Sequence, residues 1–175
     1  MTIVWFLILL AVLASAVTTA WAAWRGAPFV PTRAADVERM LQLARLKPGD
    51  VVYDLGAGDG RILVAAVKRP NVTAVGYELS LLFYVVGQLR LWLSGSRPRA
   101  NLVYADFWHQ PLSHASIVCC FLTPPAMARL ATKFQRELRP GTRIVSAVFP
   151  IPGWSPTKQD KPTPQHVSLY LYQIQ

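Results

Sequence analysis

The residues best able to do chemistry in this chain crowd around one turn, Asp54-Leu55-Gly56-Ala57-Gly58-Asp59-Gly60. It follows a short apolar, β-branched and aromatic run, Val51 to Leu55, that reads as a buried strand. After it, Arg61 to Lys68 carries Ile62, Leu63, Ala65 and Ala66 at helical spacing. Strand, glycine turn and helix present main-chain N–H groups to a ligand at the carboxyl edge of an α/β sheet. Glycines, having no Cβ, let that ligand lie against the backbone. Glu78 closes the next apolar strand, Val72 to Tyr77, and lies 24 residues after Asp54. An acid about that far along commonly accepts hydrogen bonds from ribose hydroxyls.

The glycine spacing narrows the ligand. Dinucleotide turns read G-x-G-x-x-G, whereas this one reads G-x-G-x-G, and a phosphate-cradling G-x-x-x-x-G-K-[ST] is absent. Two acids beside the turn suit a ligand with a positive end. Ribose plus ammonium and sulfonium groups, without phosphate, describes S-adenosylmethionine. The competing reading is a generic Rossmann-like turn bordered by surface acids.

The elements that must position this turn follow from the flanking pattern. Ile3 to Trp24 contains 22 uncharged residues, which as a helix reach about 33 Å at ~1.5 Å per residue and span a bilayer core. Trp5, Trp21 and Trp24 lie near its ends, as interfacial aromatics do. A secretory signal competes, with Ala14, Ala16, Ala20 and Ala22 as small residues for cleavage, but no Lys or Arg precedes the apolar run. Arg25 and Arg33 follow it and place that end in the cytoplasm. The expected division is therefore an anchor over residues 1–25 and one catalytic domain over residues 26–175. A bacterial inner membrane is expected because no presequence precedes the anchor, with a mitochondrial membrane as the other possibility.

Beyond a linker with two prolines, Thr32 can cap a helix in which Val37, Met40, Leu41, Ala44 and Leu46 repeat at three- and four-residue intervals. Leu81 to Leu93 is helical and apolar nearly all round, so it is either deeply buried or partly lipid-facing. Strands are expected at Asn101 to Ala105, Ser116 to Leu122, Arg143 to Phe149 and Val167 to Ile174, with a helix over Pro125 to Leu138. Pro150 to Gln165, rich in Pro, Lys and Gln, reads as a long functional loop. The expected fold is α/β: a Rossmann-like, mostly parallel sheet of about six strands.

The quoted motifs also carry a family likeness. D-L-G-A-G-D-G-R with G-Y-E-L-S downstream resembles motif I and the following acidic motif of class I S-adenosylmethionine-dependent methyltransferases. Together with P-F-V-P-T at Pro28 to Thr32 and the late F-P-I-P-G-W, it resembles the membrane-anchored protein-lysine methyltransferases. That family includes enzymes acting on the c-ring protein of ATP synthase and on the adenine nucleotide translocase, with prokaryotic relatives. The resemblance runs from about Pro28 to Trp154. It implies that P-F-V-P-T folds over the cofactor and that Thr32, Asp54, Gly56, Gly58, Asp59, Gly60 and Glu78 hold it. It further implies that Asp106 receives the adenine amino group while Phe107 covers the ring. The implied acceptor is a lysine of a membrane-associated protein.

Lysine must be neutral to attack, and at pH 7 its deprotonation costs roughly 4 to 5 kcal/mol from a pKa near 10.4. A dry aromatic channel beside a sulfonium lowers that cost by desolvation and like-charge repulsion. Thr123, Phe149 and Trp154 are the candidates for such a channel, with Phe107 and Trp108 as further walls.

Thr123-Pro124-Pro125-Ala126 stands where amino-methylating DNA enzymes carry Asn/Asp-Pro-Pro-aromatic. The amide or acid for a base's amino group, and the ring for a flipped base, are both replaced. That argues against adenine or cytosine as acceptor.

The net charge of +9 gives a basic surface, which anionic lipid, nucleic acid or an acidic partner could each use. Hence two other classes stay open: a methyltransferase acting on a lipid-like molecule or RNA, and a non-catalytic S-adenosylmethionine-binding module. No metal site is expected. Cys119 and Cys120 are adjacent on a strand and point to opposite faces, so they are read as buried thiols in a reducing compartment.

Overall fold

Strand propensity and glycine turns build an α/β sheet in the computed structural model, which describes residues 1–175. In chain order the helices are α1 (Thr2–Trp24), α2 (Ala34–Ala44), α3 (Arg61–Ala66), α4 (Leu81–Leu93) and α5 (Pro124–Glu137). The strands are β1 (Val51–Leu55), β2 (Thr73–Glu78), β3 (Ala100–Tyr104), β4 (Ile117–Cys120), β5 (Arg143–Ala147), β6 (Lys158–Asp160) and β7 (Leu169–Gln173). They form one sheet in the order β3-β2-β1-β4-β5-β7-β6, parallel except that β7 runs antiparallel to both its neighbours. The order reverses between β1 and β4, and the carboxyl edge at such a switch point is where open α/β sheets bind ligands.

Alternation along the strands makes two cores. Val52, Ala74, Leu102, Cys119 and Val145 face α2, α3 and α4. Tyr53, Leu55, Val118, Cys120 and Ile144 face α5, where Met127, Leu130 and Phe134 are fully buried. The two cysteines thus point to opposite faces, both free and both buried.

Close approach dictates Gly87 in α4: a Cβ there would lie 2.4 Å from a Leu102 methyl, so the helix packs on β3 backbone to side chain. Arg143 at the start of β5 ties the end of α2 to the sheet. Its guanidinium grips Asp50 through both carboxylate oxygens, at 2.8 and 2.7 Å, and donates to the Ala44 and Arg45 carbonyls.

Two expectations change. The sheet has seven strands, not six: β6 arises inside the Pro-rich stretch, where Lys-Gln-Asp has no apolar pattern to announce it. It is held by pairing with β7 and by Arg39 Nε donating to Asp160 at 2.9 Å. Thr32 does not cap α2. Arg33 occupies the N-cap position with no side-chain cap, while the Thr32 carbonyl accepts from the Arg61 guanidinium.

The N-terminal helix is long and apolar enough to cross a membrane, with a mean hydropathy of 2.4 over 18 residues. Its last third does not stand free. Ser15, Thr18, Thr19, Ala22 and Arg25 form a stripe turned toward the domain. Thr18 Oγ1 accepts the Leu81 N–H at 3.1 Å, and Thr19 Oγ1 lies 2.6 Å from Ser80 Oγ. A hydroxyl from α1 therefore caps α4, satisfying an N–H that the helix leaves unpaired.

Candidate active site

The turn after β1 is pinned by its own backbone. Gly56 and Ala57 both donate to the Tyr77 carbonyl at 3.0 Å, and Gly60 donates to Ala57 at 2.9 Å. Gly58 adopts φ +55 and its N–H donates to Glu78 Oε2 at 2.7 Å. A Cβ on Gly58 would sit 3.0 Å from the Phe29 ring, so the position excludes side chains both by conformation and by space. The second Glu78 oxygen accepts the Ser80 N–H at 2.7 Å. Glu78 is thereby fixed with both oxygens oriented, and each retains acceptor capacity.

The acids then differ. Asp59 is neutralised: Arg61 reaches it at 2.8 and 2.6 Å and Arg90 at 2.7 Å. Burial raises its pKa, but the hydrogen bonds and charges of Arg61 and Arg90 outweigh that and leave it below the usual range. Asp54 has no such partner. Burial first, then repulsion from Glu78 and Asp59, pushes its carboxyl up to about 8. Glu78 is also raised, by burial, against the opposing hydrogen bonds of Ser80 and Gly58.

A hollow of about 50 Å³ is lined by Asp54, Gly56, Gly58, Asp59 and Glu78, by the aromatics Phe29, Phe83 and Phe121, and by Thr32. A second of about 10 Å³ is lined by Arg25, Gly56, Tyr77, Glu78, Asp106 and Phe107. Gly56 and Glu78 border both, so the two are ends of one slot running from Asp54 to Asp106. The segment from Ala27 to Thr32 lies across it, with Phe29 stacked on Phe83 at 3.5 Å and 12°. At ~10–15 Å³ per water, the larger hollow holds about four waters. A nucleoside therefore requires this strap to move outward.

The sequence-predicted cofactor residues all border this slot except Gly60, which turns the chain into α3. Asp106 is already engaged: Arg25 pairs with it at 2.6 Å and the Trp108 N–H donates to it at 3.1 Å. The Arg25 Nε is buried without a partner, an unmet donor beside the smaller hollow.

The acceptor candidates are not assembled around the slot. Thr123 donates its N–H to the Gly26 carbonyl at 3.0 Å, and Trp154 packs edge-on against Tyr172 at 6.0 Å. Phe149 follows a three-residue turn in which its N–H donates to Ala147 at 2.8 Å around Val148, at φ +68. Phe107 and Trp108 are buried and pack on each other, and the Trp108 indole donates to the Arg25 carbonyl. Sequence reasoning missed Phe83 and Phe121 as cavity walls and Thr19, Ala22 and Arg25 as its rim. The hydroxyl stripe on α1 at Ser15, Thr18 and Thr19, with the small Ala22 one turn on, is the available signal.

The residues fit S-adenosylmethionine on their own chemistry: an unpartnered buried carboxylate for a cation, a glycine cradle, and a fixed glutamate with acceptor capacity for a ribose.

Comparison with known proteins agrees. A family profile described as the ANTKMT methyltransferase domain matches residues 54–158. A protein-lysine N-methyltransferase of Saccharolobus islandicus (strain REY15A) is 39% identical over 150 residues, 84% of this chain and 93% of that protein. The adenine nucleotide translocase lysine N-methyltransferase of Mus musculus is 39% identical over 129 residues, 74% of this chain but 56% of its own length. This chain thus spans about half the length of its mammalian relatives. The crystal structure of an RNA methyltransferase from Salinibacter ruber with S-adenosyl-L-homocysteine superposes with a TM-score of 0.79 and 30% identity, over 83% of this chain and 94% of that one. Sheet order, glycine turn, paired acids and these similarities lead to one conclusion: the chain belongs to the ANTKMT methyltransferase-domain family and is a class I S-adenosylmethionine-dependent methyltransferase.

Proposed function

We propose that the protein methylates a lysine side chain of a membrane-associated protein, from a catalytic domain (residues 26–175) held on the cytoplasmic side by α1. When bound, S-adenosylmethionine supplies a methyl group on a sulfonium. The observation that carries the reading is Asp54, a buried carboxylate that no side chain neutralises, at the mouth of a glycine cradle. Asp54 holds the positive end of the cofactor, and Glu78 accepts from its ribose hydroxyls. Asp106 and Phe107 border the hollow that takes the adenine. Phe29, Phe83 and Phe121 exclude water from the slot. A lysine that has lost its proton to solvent before entering would take the methyl group as the sulfur leaves with the bonding pair as a neutral thioether. Such a displacement needs alignment more than acid–base groups.

Three observations support a lysine acceptor in particular. The archaeal relative covered over 93% of its length bears that activity in its name. Aromatic walls favour the neutral amine by desolvation. Thr123 and Ala126 replace the groups that amino-methylating DNA enzymes use on a base.

RNA is the second reading, favoured by the Salinibacter structure and the charge of +9. Full-length protein incubated with methyl-labelled cofactor and with membranes and RNA from a strain lacking it separates the two. Methyl-lysine on a membrane protein, found by mass spectrometry, is expected. Label confined to ribonuclease-sensitive or lipid material would overturn the lysine reading.

A further inference from the structure

The helix α4 carries an apolar stripe on the wrong side for a helix surrounded by water. Leu82, Val85, Val86, Leu89, Trp92 and Leu93 recur at spacings of three and four, and all are 40% to 71% exposed. Gly87 and Leu91, on the opposite face, are the residues it buries. A water-facing helix would place charge on that outer stripe.

Three observations commit this face to a lipid bilayer. First, it is continuous with α1, whose residues 3–13 are exposed and apolar: Thr18 and Thr19 are bonded to the first turn of α4. Trp21, Trp24, Leu79 and Tyr104 line an apolar hollow of about 600 Å³ against α1, with tryptophan and tyrosine suited to the headgroup level. Second, residues 79–105 contain no acid, and Arg97 and Arg99 there have no carboxylate partner, which suits anionic headgroups. Third, α1 reaches the domain without a polar linker: it is one helix to Trp24, with Thr18 docked on the first turn of α4 and Ala22 buried, so a span in α1 brings α4 to the bilayer surface. The 13 residues of α4, about 20 Å, are too few to span.

We infer that α4 lies in the membrane interface with its Leu82–Leu93 stripe in the acyl region, seating the catalytic domain on the bilayer beside α1. This rests on α1 as a membrane span, and it does not depend on the identity of the methyl acceptor. Its consequence is positional: Ser80 and Phe83, at the start of α4, border the slot, so the active site opens close to the lipid surface.

Nitroxide labels on full-length Val85→Cys and Leu89→Cys test this in phosphatidylcholine–phosphatidylglycerol vesicles, since Cys119 and Cys120 are buried. Gln135→Cys, exposed on α5 across the sheet, is the aqueous reference, and Leu9→Cys reports the span. The expected result is loss of collision with an aqueous nickel chelate and gain of collision with oxygen at positions 85 and 89, as at position 9. Nickel access at 85 and 89 equal to that at 135, with position 9 shielded, would overturn the inference while leaving the span intact. Shielding accompanied by spin–spin broadening that disappears on dilution with unlabelled protein would overturn it in favour of a second copy. Nickel access at position 9 would remove the span and the inference together.

Discussion

The two halves of the sheet's carboxyl edge are built differently. At β1 and β2 the surface is main chain: Gly56 and Ala57 pinned to Tyr77, and Gly58 and Ser80 donating to Glu78, whose carboxylate the backbone thereby fixes. At β4 and β5 a side chain and strain take a larger part. Thr123 is tied to Gly26 through the main chain, but Ser146 Oγ donates to the Phe149 carbonyl, and Val148 sits at φ +68, costly for a β-branched residue. The difference teaches a division of labour. On the proposed function, a cofactor of fixed shape is held by rigid backbone and an oriented glutamate, whereas the half proposed to meet the acceptor relies more on side chains free to vary.

The largest effect that could break this comparison comes from pH. The Asp54 carboxyl has a pKa of about 8 in the folded protein against an ordinary value of 3.8. The folded state therefore binds a proton that the unfolded chain has lost, so stability is full below the ordinary value and falls as pH rises toward 8. The loss has an upper limit of about 6 kcal/mol at 1.36 kcal/mol per unit. Asp54→Asn removes this loss and leaves the smaller one of Glu78, itself raised by burial, so the stability of the cofactor-free variant in detergent, measured by denaturant unfolding, should fall much less across that range. A wild-type profile as flat as the variant's would place Asp54 among ordinary acids.

Next in size is Glu78→Ala. It removes two charge-assisted hydrogen bonds that set the turn, together about 3 kcal/mol, and should weaken S-adenosylmethionine binding roughly 100-fold by calorimetry. Unchanged affinity would mean that the turn binds without its acid.

Gly58→Ala comes third. A left-handed φ of +55 costs a side chain about 1–2 kcal/mol, and the new methyl meets Phe29 at 3.0 Å. Roughly tenfold weaker cofactor binding is expected, with the strap displaced and Phe29 more exposed to collisional quenching or protease.

The smallest effect lies at the other half. Val148→Gly should relieve strain, stabilising the domain by about 1 kcal/mol or less once the added chain entropy of glycine is offset. It should lower kcat/KM for the acceptor while leaving the cofactor Kd unchanged. An equal change in both would erase the distinction between the two halves.

The same contrast governs what the sequence made legible. The cofactor turn is local: three glycines, Asp54 and, one strand later, Glu78 can be read from spacing because backbone geometry allows few residues there. The strands flanking it announce themselves as apolar runs. The edge strand β6 could not be read, because Lys158-Gln159-Asp160 is held by pairing and Arg39 rather than by burial. The docking of α1 was hidden for another reason. Its hydroxyls at Thr18 and Thr19 lie in a stretch whose mean hydropathy alone suffices for a span, and their partners lie 61 and 63 residues away. Asp59 looked like a second site for positive charge, but Arg61 and Arg90 neutralise it. The tie between Thr123 and Gly26, on the half proposed to meet the acceptor, joins two distant segments that no spacing rule connects.

The most direct test is calorimetric titration of S-adenosylmethionine into full-length wild type and Asp54→Asn at pH 7, in two buffers of different ionisation enthalpy. If a charged Asp54 holds the cofactor's positive end, wild type releases a proton on binding and the variant binds more weakly and releases none. Equal affinity with equal proton release in the two proteins would contradict the central role given to that carboxylate.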